Sequence, residues 1–447
     1  MKVAVYGLWH LGCVTAACLA KIGHDVVGLD RDAFVVGNLK SGTPPISEPG
    51  LAELISAGRD AGKLRFSSDA TDALHDADLV WIAFDTPVDE NDVADVDFVR
   101  NELEAIADAI MPGTLVLVSS QVPAGFTRRL ADDWRARGLR YAYSPENLRL
   151  GKAINVFLQP ERIIVGLENK ADRVDIGTLL GPVTANIEYM SLESAEMTKH
   201  ALNAFLATSV TFINELARIC EAVGADAKEV ERGLKTEGRI GPKAYLAPGV
   251  AYAGGTLARD VAFLTAFGNE HSVAVPLMQG IAASNQAHKN WLREKCSDLL
   301  AGAPRPQVAV LGLTYKPGTD TLRRSGAIEL CKWLASRGAT LRAFDPALQS
   351  LPEELVSLID LRLSAAEAIA AADLAIVATE WPEFRSLTAD SFAGTMRLPQ
   401  VIDQNHFLAG ALAGDDRISY VATGKITEAK QAADAGTATP TALPHAR

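Results

Sequence analysis

The segment best suited to chemistry stands at the start of the chain. Gly7-Leu8-Trp9-His10-Leu11-Gly12 follows a short apolar run, Lys2–Tyr6, and precedes a helical pattern over Val14–Ile22. In such a turn the first glycine permits the tight bend, the third lets the backbone approach a pyrophosphate, and the sixth lets the helix pack on the strand. Gly7 and Gly12 fill the first and sixth places, and Trp9 fills the third. Asp30 closes the next apolar run, Asp25–Leu29, where a carboxylate accepts ribose hydroxyls and repels a 2′-phosphate. NAD is therefore the expected cofactor, held by Gly7, Trp9, His10, Leu11, Gly12 and Asp30, with Arg31 placed to blunt the preference over NADP. From these residues alone, a sheet whose turn no longer binds a dinucleotide is the alternative.

A second group lies mid-chain. Glu196, Lys199 and Asn203 are three and four residues apart inside a long helical pattern, so they share one helix face. Taken alone, a solvated lysine and a helix-face amide would show the same spacing. The five cysteines, Cys13, Cys18, Cys220, Cys296 and Cys331, are scattered and show no metal-ligand spacing. They read as buried free thiols of a reducing compartment.

The elements that must position these residues alternate between strand and helix. Strand runs at Asp78–Phe84 and Thr114–Ser119 and a helical run at Phe98–Ala109 continue the pattern begun at Lys2, which implies a parallel doubly wound sheet. From about Leu192 the chain becomes helical, with one long pattern from Ala195 to Val223. Ala301-Gly302-Ala303-Pro304-Arg305-Pro306 breaks it, and a second alternating unit follows: a strand over Val308–Leu311, a turn at Gly312, a helix over Ser325–Ser336, and a strand over Thr340–Phe344 ending at Asp345. The expected architecture is α/β: two Rossmann-like doubly wound parallel-sheet domains, joined by a helical middle domain with a long central helix. The expected boundaries are 1–190, 191–303 and 304–429, with 430–447 as a disordered tail rich in Ala, Thr and Pro.

The 447 residues carry a net charge of -12, which argues against nucleic acid as a partner. No apolar run is long enough to cross a bilayer, and Met1-Lys2-Val3-Ala4-Val5 enters a strand without a signal layout, so a cytoplasmic protein is expected.

Several further segments occur in a specific order: Glu48-Pro49-Gly50-Leu51, Ser120-Gln121-Val122-Pro123-Ala124-Gly125, Ser144-Pro145-Glu146-Asn147-Leu148-Arg149, Glu196-Met197-Thr198-Lys199 with Asn203, and Arg239-Ile240-Gly241-Pro242-Lys243. Gly312-Leu313-Thr314-Tyr315-Lys316-Pro317-Gly318-Thr319-Asp320 and Thr379-Glu380-Trp381-Pro382-Glu383-Phe384 complete the series. On these segments the chain resembles the UDP-glucose/GDP-mannose dehydrogenase family to about residue 425. The resemblance implies a homodimer that oxidises the C6 alcohol of a nucleotide sugar to a carboxylate, in two hydride transfers to NAD, through a cysteine adduct of the intermediate aldehyde.

It also implies roles for individual residues. Lys199 and Asn203 match a pair that binds the reacting end of the sugar and stabilises oxyanion charge. Asp260 matches an aspartate that handles protons and water, and Glu146 an acid that orients water. Leu148, Tyr252 and Gly254 fall among the substrate contacts, and Arg239 matches an arginine that reaches the neighbouring subunit's substrate. Lys316 and Arg323 match cations on substrate or cofactor phosphates, and Gln121 falls on the cofactor side where a threonine that helps hold the catalytic water is usual. Three departures stand out. The nucleophile position in Gly254-Gly255-Thr256-Leu257-Ala258-Arg259-Asp260 is Thr256, Leu150 replaces a second acid, and Asn405 in Asp403-Gln404-Asn405-His406 replaces an arginine. Full four-electron oxidation is therefore not implied. A redox-neutral NAD-dependent epimerase and a non-catalytic binder are the alternatives. A phosphogluconate-type hydroxyacid dehydrogenase also places Lys and Asn on a helix, but it lacks a second alternating unit.

Overall fold

The computed structural model describes residues 1–87, 94–146, 148–252 and 255–425. Gly254 and the tail from residue 430 lie outside the described residues. The chain divides into two compact units, Met1–Leu202 and the residues from Asn203 onward.

In the first unit the described strands are β1 (Lys2–Tyr6), β2 (Asp25–Leu29), β3 (Leu64–Ser67), β4 (Leu79–Ile82), β5 (Leu115–Val118), β6 (Arg140–Tyr143), β7 (Ile163–Leu167) and β8 (Ile187–Met190). They form one sheet in the order β3-β2-β1-β4-β5-β6-β7-β8. Both faces are covered, which is why β4 and β5 are apolar throughout and β1 is apolar after Lys2. Val3 and Val5 enter one core with Leu19 and Leu39, while Ala4 and Tyr6 enter the other with Val80 and Leu103. The sheet departs from the parallel expectation at one seam, where β7 pairs antiparallel with β6 through Ala142–Leu167 and Tyr143–Gly166. An apolar run reads the same in either direction, so alternation could not reveal this reversal.

The first helix is His10–Lys21, four residues earlier than its apolar period suggests. Residues 10 to 12 are thus its first turn. Gly7 bends the chain at φ +98, and a Cβ on Gly12 would lie 1.8 Å from the Gly7 carbonyl oxygen, so helix and turn meet only because residue 12 lacks a side chain.

In the second unit β9 (Gln307–Leu311), β10 (Thr340–Phe344), β11 (Ile359–Leu361), β12 (Leu374–Val377), β13 (Gln400–Asp403) and β14 (Ser419–Val421) pair in the order β11-β10-β9-β12-β13-β14. The pairings are all parallel. This third-second-first-fourth-fifth-sixth order repeats the first six strands of the other unit and is that of a doubly wound dinucleotide fold. Ahead of this sheet lie helices Ala227–Thr236, Thr256–Glu270 and Pro276–Leu299. The 32-residue helix Leu192–Val223 carries the chain from one unit into the next.

Candidate functional site

Each sheet places a glycine turn after its first strand and an aspartate after its second, and comparing them separates a binding turn from a structural one. In the first unit the Gly7 amide donates to Leu29 at 3.0 Å, and Asp30 accepts from the Leu8 amide at 2.8 Å and the Asp32 amide at 2.9 Å. Asp30 remains half-buried, so its carboxylate holds the turn and still offers lone pairs to a ribose. In the second unit the Gly312 amide donates to Phe344 at 2.8 Å, and Asp345 accepts from the amides of Leu313 and Thr314, the Thr314 hydroxyl and the Trp381 indole within 3.1 Å. Asp345 is fully buried and consumed by these bonds. The first turn therefore fits a dinucleotide and the second does not.

Trp9 is the N-cap of His10–Lys21 with φ -93, an ordinary value for any side chain, and it is 51% exposed. The backbone at the third place thus needs no glycine. The other residues of this group are more committed than their types suggest. Arg31 is engaged by Glu102 at 3.2 Å, which already accepts from Tyr6. His10 meets Glu48 at 3.0 Å, and Glu48, buried, also accepts from the amides of Gly151 and Ala153 at 2.7 and 2.9 Å. Glu48 thus ties the dinucleotide turn to the 151–153 loop, a role its sequence context did not reveal. Leu11 is buried. The carbonyl of Gln121 accepts from the Thr86 hydroxyl at 2.7 Å.

Still in the first unit, the Lys199 ammonium donates to the Glu146 carbonyl at 2.6 Å, and the Glu146 carboxylate accepts from the Leu148 amide at 3.0 Å. Lys199 is thereby aimed at the loop beyond β6. Glu196, which shares a helix face with Lys199 in the sequence, serves otherwise. It is fully buried and accepts from the amides of Gly125 and Thr127 at 2.5 and 2.9 Å, capping the helix Phe126–Asp133. Burial pushes its carboxyl above the ordinary range.

In the second unit the Asn203 amide donates to Asp260 at 2.5 Å, and both side chains are buried. Thr256 is the first residue of the helix Thr256–Glu270, exposed, one turn ahead of Asp260. The segment before it is clasped: Asn285 accepts from the Tyr252 amide and donates to the Tyr252 carbonyl, each at 3.0 Å. Tyr252 is half-buried, and burial pushes its phenol up. Arg239 is 89% exposed beside Glu237. Lys316 is half-buried and Arg323 exposed on the loop after the second glycine turn. The neighbouring Arg324, at φ +61, brings its guanidinium within 3.4 Å of the point a Cβ on Gly255 would occupy, so the structure sets Arg324 against this helix start.

All five cysteines are free and buried, and burial pushes Cys13, Cys18, Cys296 and Cys331 up to about 12. Cys220 packs with Ala217 and Ala227.

A doubly wound sheet with a glycine turn after its first strand and a half-buried aspartate after its second is the layout of a dinucleotide-binding domain. The three segments of one family cover most of the chain: the NAD-binding domain over residues 1–182, the central domain over 193–287 and the UDP-binding domain over 309–409. The protein belongs to the UDP-glucose/GDP-mannose dehydrogenase family, and its cofactor is NAD. It is 35% identical over 414 residues to a UDP-glucose 6-dehydrogenase of Rhizobium meliloti, covering 90% of this chain and 94% of the relative. A UDP-glucose 6-dehydrogenase of Pseudomonas aeruginosa is 32% identical over 443 residues, covering 95% and 98%. The solved UDP-glucose dehydrogenase of Pyrobaculum islandicum superposes with a TM-score of 0.81 at 28% identity, covering 90% and 93%. Among the described residues no helix is long and apolar enough to cross a membrane.

Proposed function

We propose that this dehydrogenase oxidises the terminal alcohol of a UDP-hexose and that, with Thr256 at the nucleophile position, the reaction stops at the aldehyde. The alcohol loses a hydride and a proton, NAD taking the hydride. The carrying observation is the buried Asn203–Asp260 pair, one helical turn beyond Lys199. In this reading Lys199 and Asn203 donate to the sugar oxygen as it gains negative charge, and Asp260 fixes the Asn203 amide and receives the proton. By the family resemblance, Glu146, Leu148 and Tyr252 are assigned to the sugar, Lys316 and Arg323 to substrate or cofactor phosphates, and Arg239 to the substrate of the neighbouring subunit. A threonine hydroxyl needs an adjacent base to attack an aldehyde, and in the second unit no described carboxylate or imidazole is hydrogen-bonded to Thr256. The test is NADH yield per UDP-glucose with the product identified by mass spectrometry. One NADH and an aldehyde are expected; two and a carboxylate would overturn the arrest. No NADH with any nucleotide sugar would overturn the oxidation itself.

Asp30→Ala frees the Leu8 and Asp32 amides as well as removing a ribose acceptor. The loss of one charge-assisted hydrogen bond, about 1.5–3 kcal/mol, predicts NAD affinity weakened roughly ten- to hundredfold. Calorimetric titration with NAD checks this, and an unchanged Kd would place the cofactor elsewhere.

We also infer a homodimer in a reducing cytoplasm, where five buried free thiols persist. Phe205, Phe212 and Ile219 recur every seventh residue on the long helix and are 71%, 50% and 56% exposed. Such a stripe is covered by the same stripe of a second copy across a two-fold axis. Phe212→Glu should convert the dimer to monomer in sedimentation; a wild-type monomer would refute the assignment.

A further inference from the structure

The segment 249–252 is neither helix nor strand, yet its backbone is held almost group by group by side chains. The Gly249 amide donates to Asn214 at 3.0 Å, and the Gly249 carbonyl accepts from His288 at 2.7 Å. The Val250 carbonyl accepts from Asn214 at 3.2 Å, and Asn285 takes both polar groups of Tyr252. These three side chains stand on helices. The Val250 amide is different: it donates to the side-chain oxygen of Asn405, 2.8 Å away, just beyond β13 of the second sheet. The fit at Gly249 is closed, since a Cβ there would lie 2.1 Å from the Asn405 oxygen.

Each backbone bond made to a fixed side chain removes alternatives, so a loop paired in this way has few other conformations even though Val250 itself is exposed. Asn405 is the member that joins it to the second sheet, just past β13 and within the segment matched to the UDP-binding domain. An arginine here has no acceptor to present to an amide, because a guanidinium only donates. The exchange of arginine for asparagine therefore does more than remove a cation.

We propose that Asn405 is a positioning residue: it accepts from the Val250 amide, closes against Gly249, and so sets the backbone that leads to Tyr252. This rests on the function proposed above, in which that loop borders the sugar. A residue that acts this way changes turnover, whereas one that merely touched the nucleotide would change KM.

The experiment combines steady-state kinetics with UDP-glucose and amide hydrogen exchange of the full chain. Asn405→Ala should lower kcat about tenfold with the KM for NAD unchanged, because small displacements of a reacting geometry are costly. It should also speed exchange at Val250 at least tenfold. Asn405→Asp, which keeps the acceptor oxygen, should retain the protection at Val250. Gly249→Ala, approaching from the other side of the contact, should reproduce the Asn405→Ala exchange and covers the case in which that variant does not fold. Unchanged exchange at Val250 in both Asn405→Ala and Gly249→Ala overturns the proposal, as does a raised KM for UDP-glucose with kcat intact. If the wild-type chain turns over no nucleotide sugar, the proposed function fails, and the exchange result alone decides the clasp.

Discussion

Lys199→Ala is expected to lower kcat for NAD reduction by about three orders of magnitude while leaving the Kd for NAD where it was. The ammonium is held at 2.6 Å from the Glu146 carbonyl, so it is already oriented before substrate arrives. A donor fixed in advance at the point where negative charge develops costs no reorganisation, which is why removal of one such donor is worth a hundredfold to a thousandfold. Lysine adds a full charge to that donation. The dinucleotide turn is built from other residues, Gly7, Leu8 and Asp30, so the cofactor equilibrium should not respond. Lys199→Met retains much of the apolar stem and separates the loss of charge from the loss of packing. Lys199→Arg should rescue little, since a planar fork cannot occupy the place of a compact ammonium. Rapid-mixing measurement of the hydride step, with calorimetry for NAD, checks both halves. A rate within threefold of wild type would remove Lys199 from the site.

Thr256→Cys is expected to convert a one-NADH reaction into a two-NADH reaction. The position is the first residue of a 15-residue helix, Thr256–Glu270, where free amides and the helix dipole favour an anion. A thiol there ionises more readily than in water, and a thiolate attacks an aldehyde without a neighbouring base. Carbon–sulfur bond formation gives a thiohemiacetal, loss of the second hydride to NAD gives a thioester, and water releases the carboxylate. Aldehyde oxidation should rise at least about a hundredfold over wild type, within the range in which a positioned nucleophile acts. The check is carboxylate yield from a UDP-hexose dialdose, followed with NADH. Should the variant form the adduct but release no carboxylate, the water-handling positions at Leu150 and Gln121 would be the cause. Should it form no adduct, residue 256 would not face the sugar.

The sequence by itself determined a good deal here. Doubly wound sheets demand strands apolar on both faces with glycines at their turns, and those are local requirements that residue type and spacing display. The Gly7–Gly12 turn, Asp30, the long helix and the second alternating sheet beginning near Gln307 were all legible for that reason. The tertiary structure decided what depends on partners far along the chain. It reversed β7 against β6, since strand direction leaves no mark on composition. It buried and consumed Asp345 while leaving Asp30 accessible, a distinction that rests on Trp381 and Thr314 meeting Asp345 but having no counterpart at Asp30. It turned Glu196 into a cap for the helix Phe126–Asp133 although Lys199 shares its face. It also assigned Asn214, Asn285, His288 and Asn405 to a single loop, from positions 33 to 155 residues away from their backbone partners. A hydrogen bond is set by distance and angle, and no spacing rule spans such separations, so these roles belong to the fold alone.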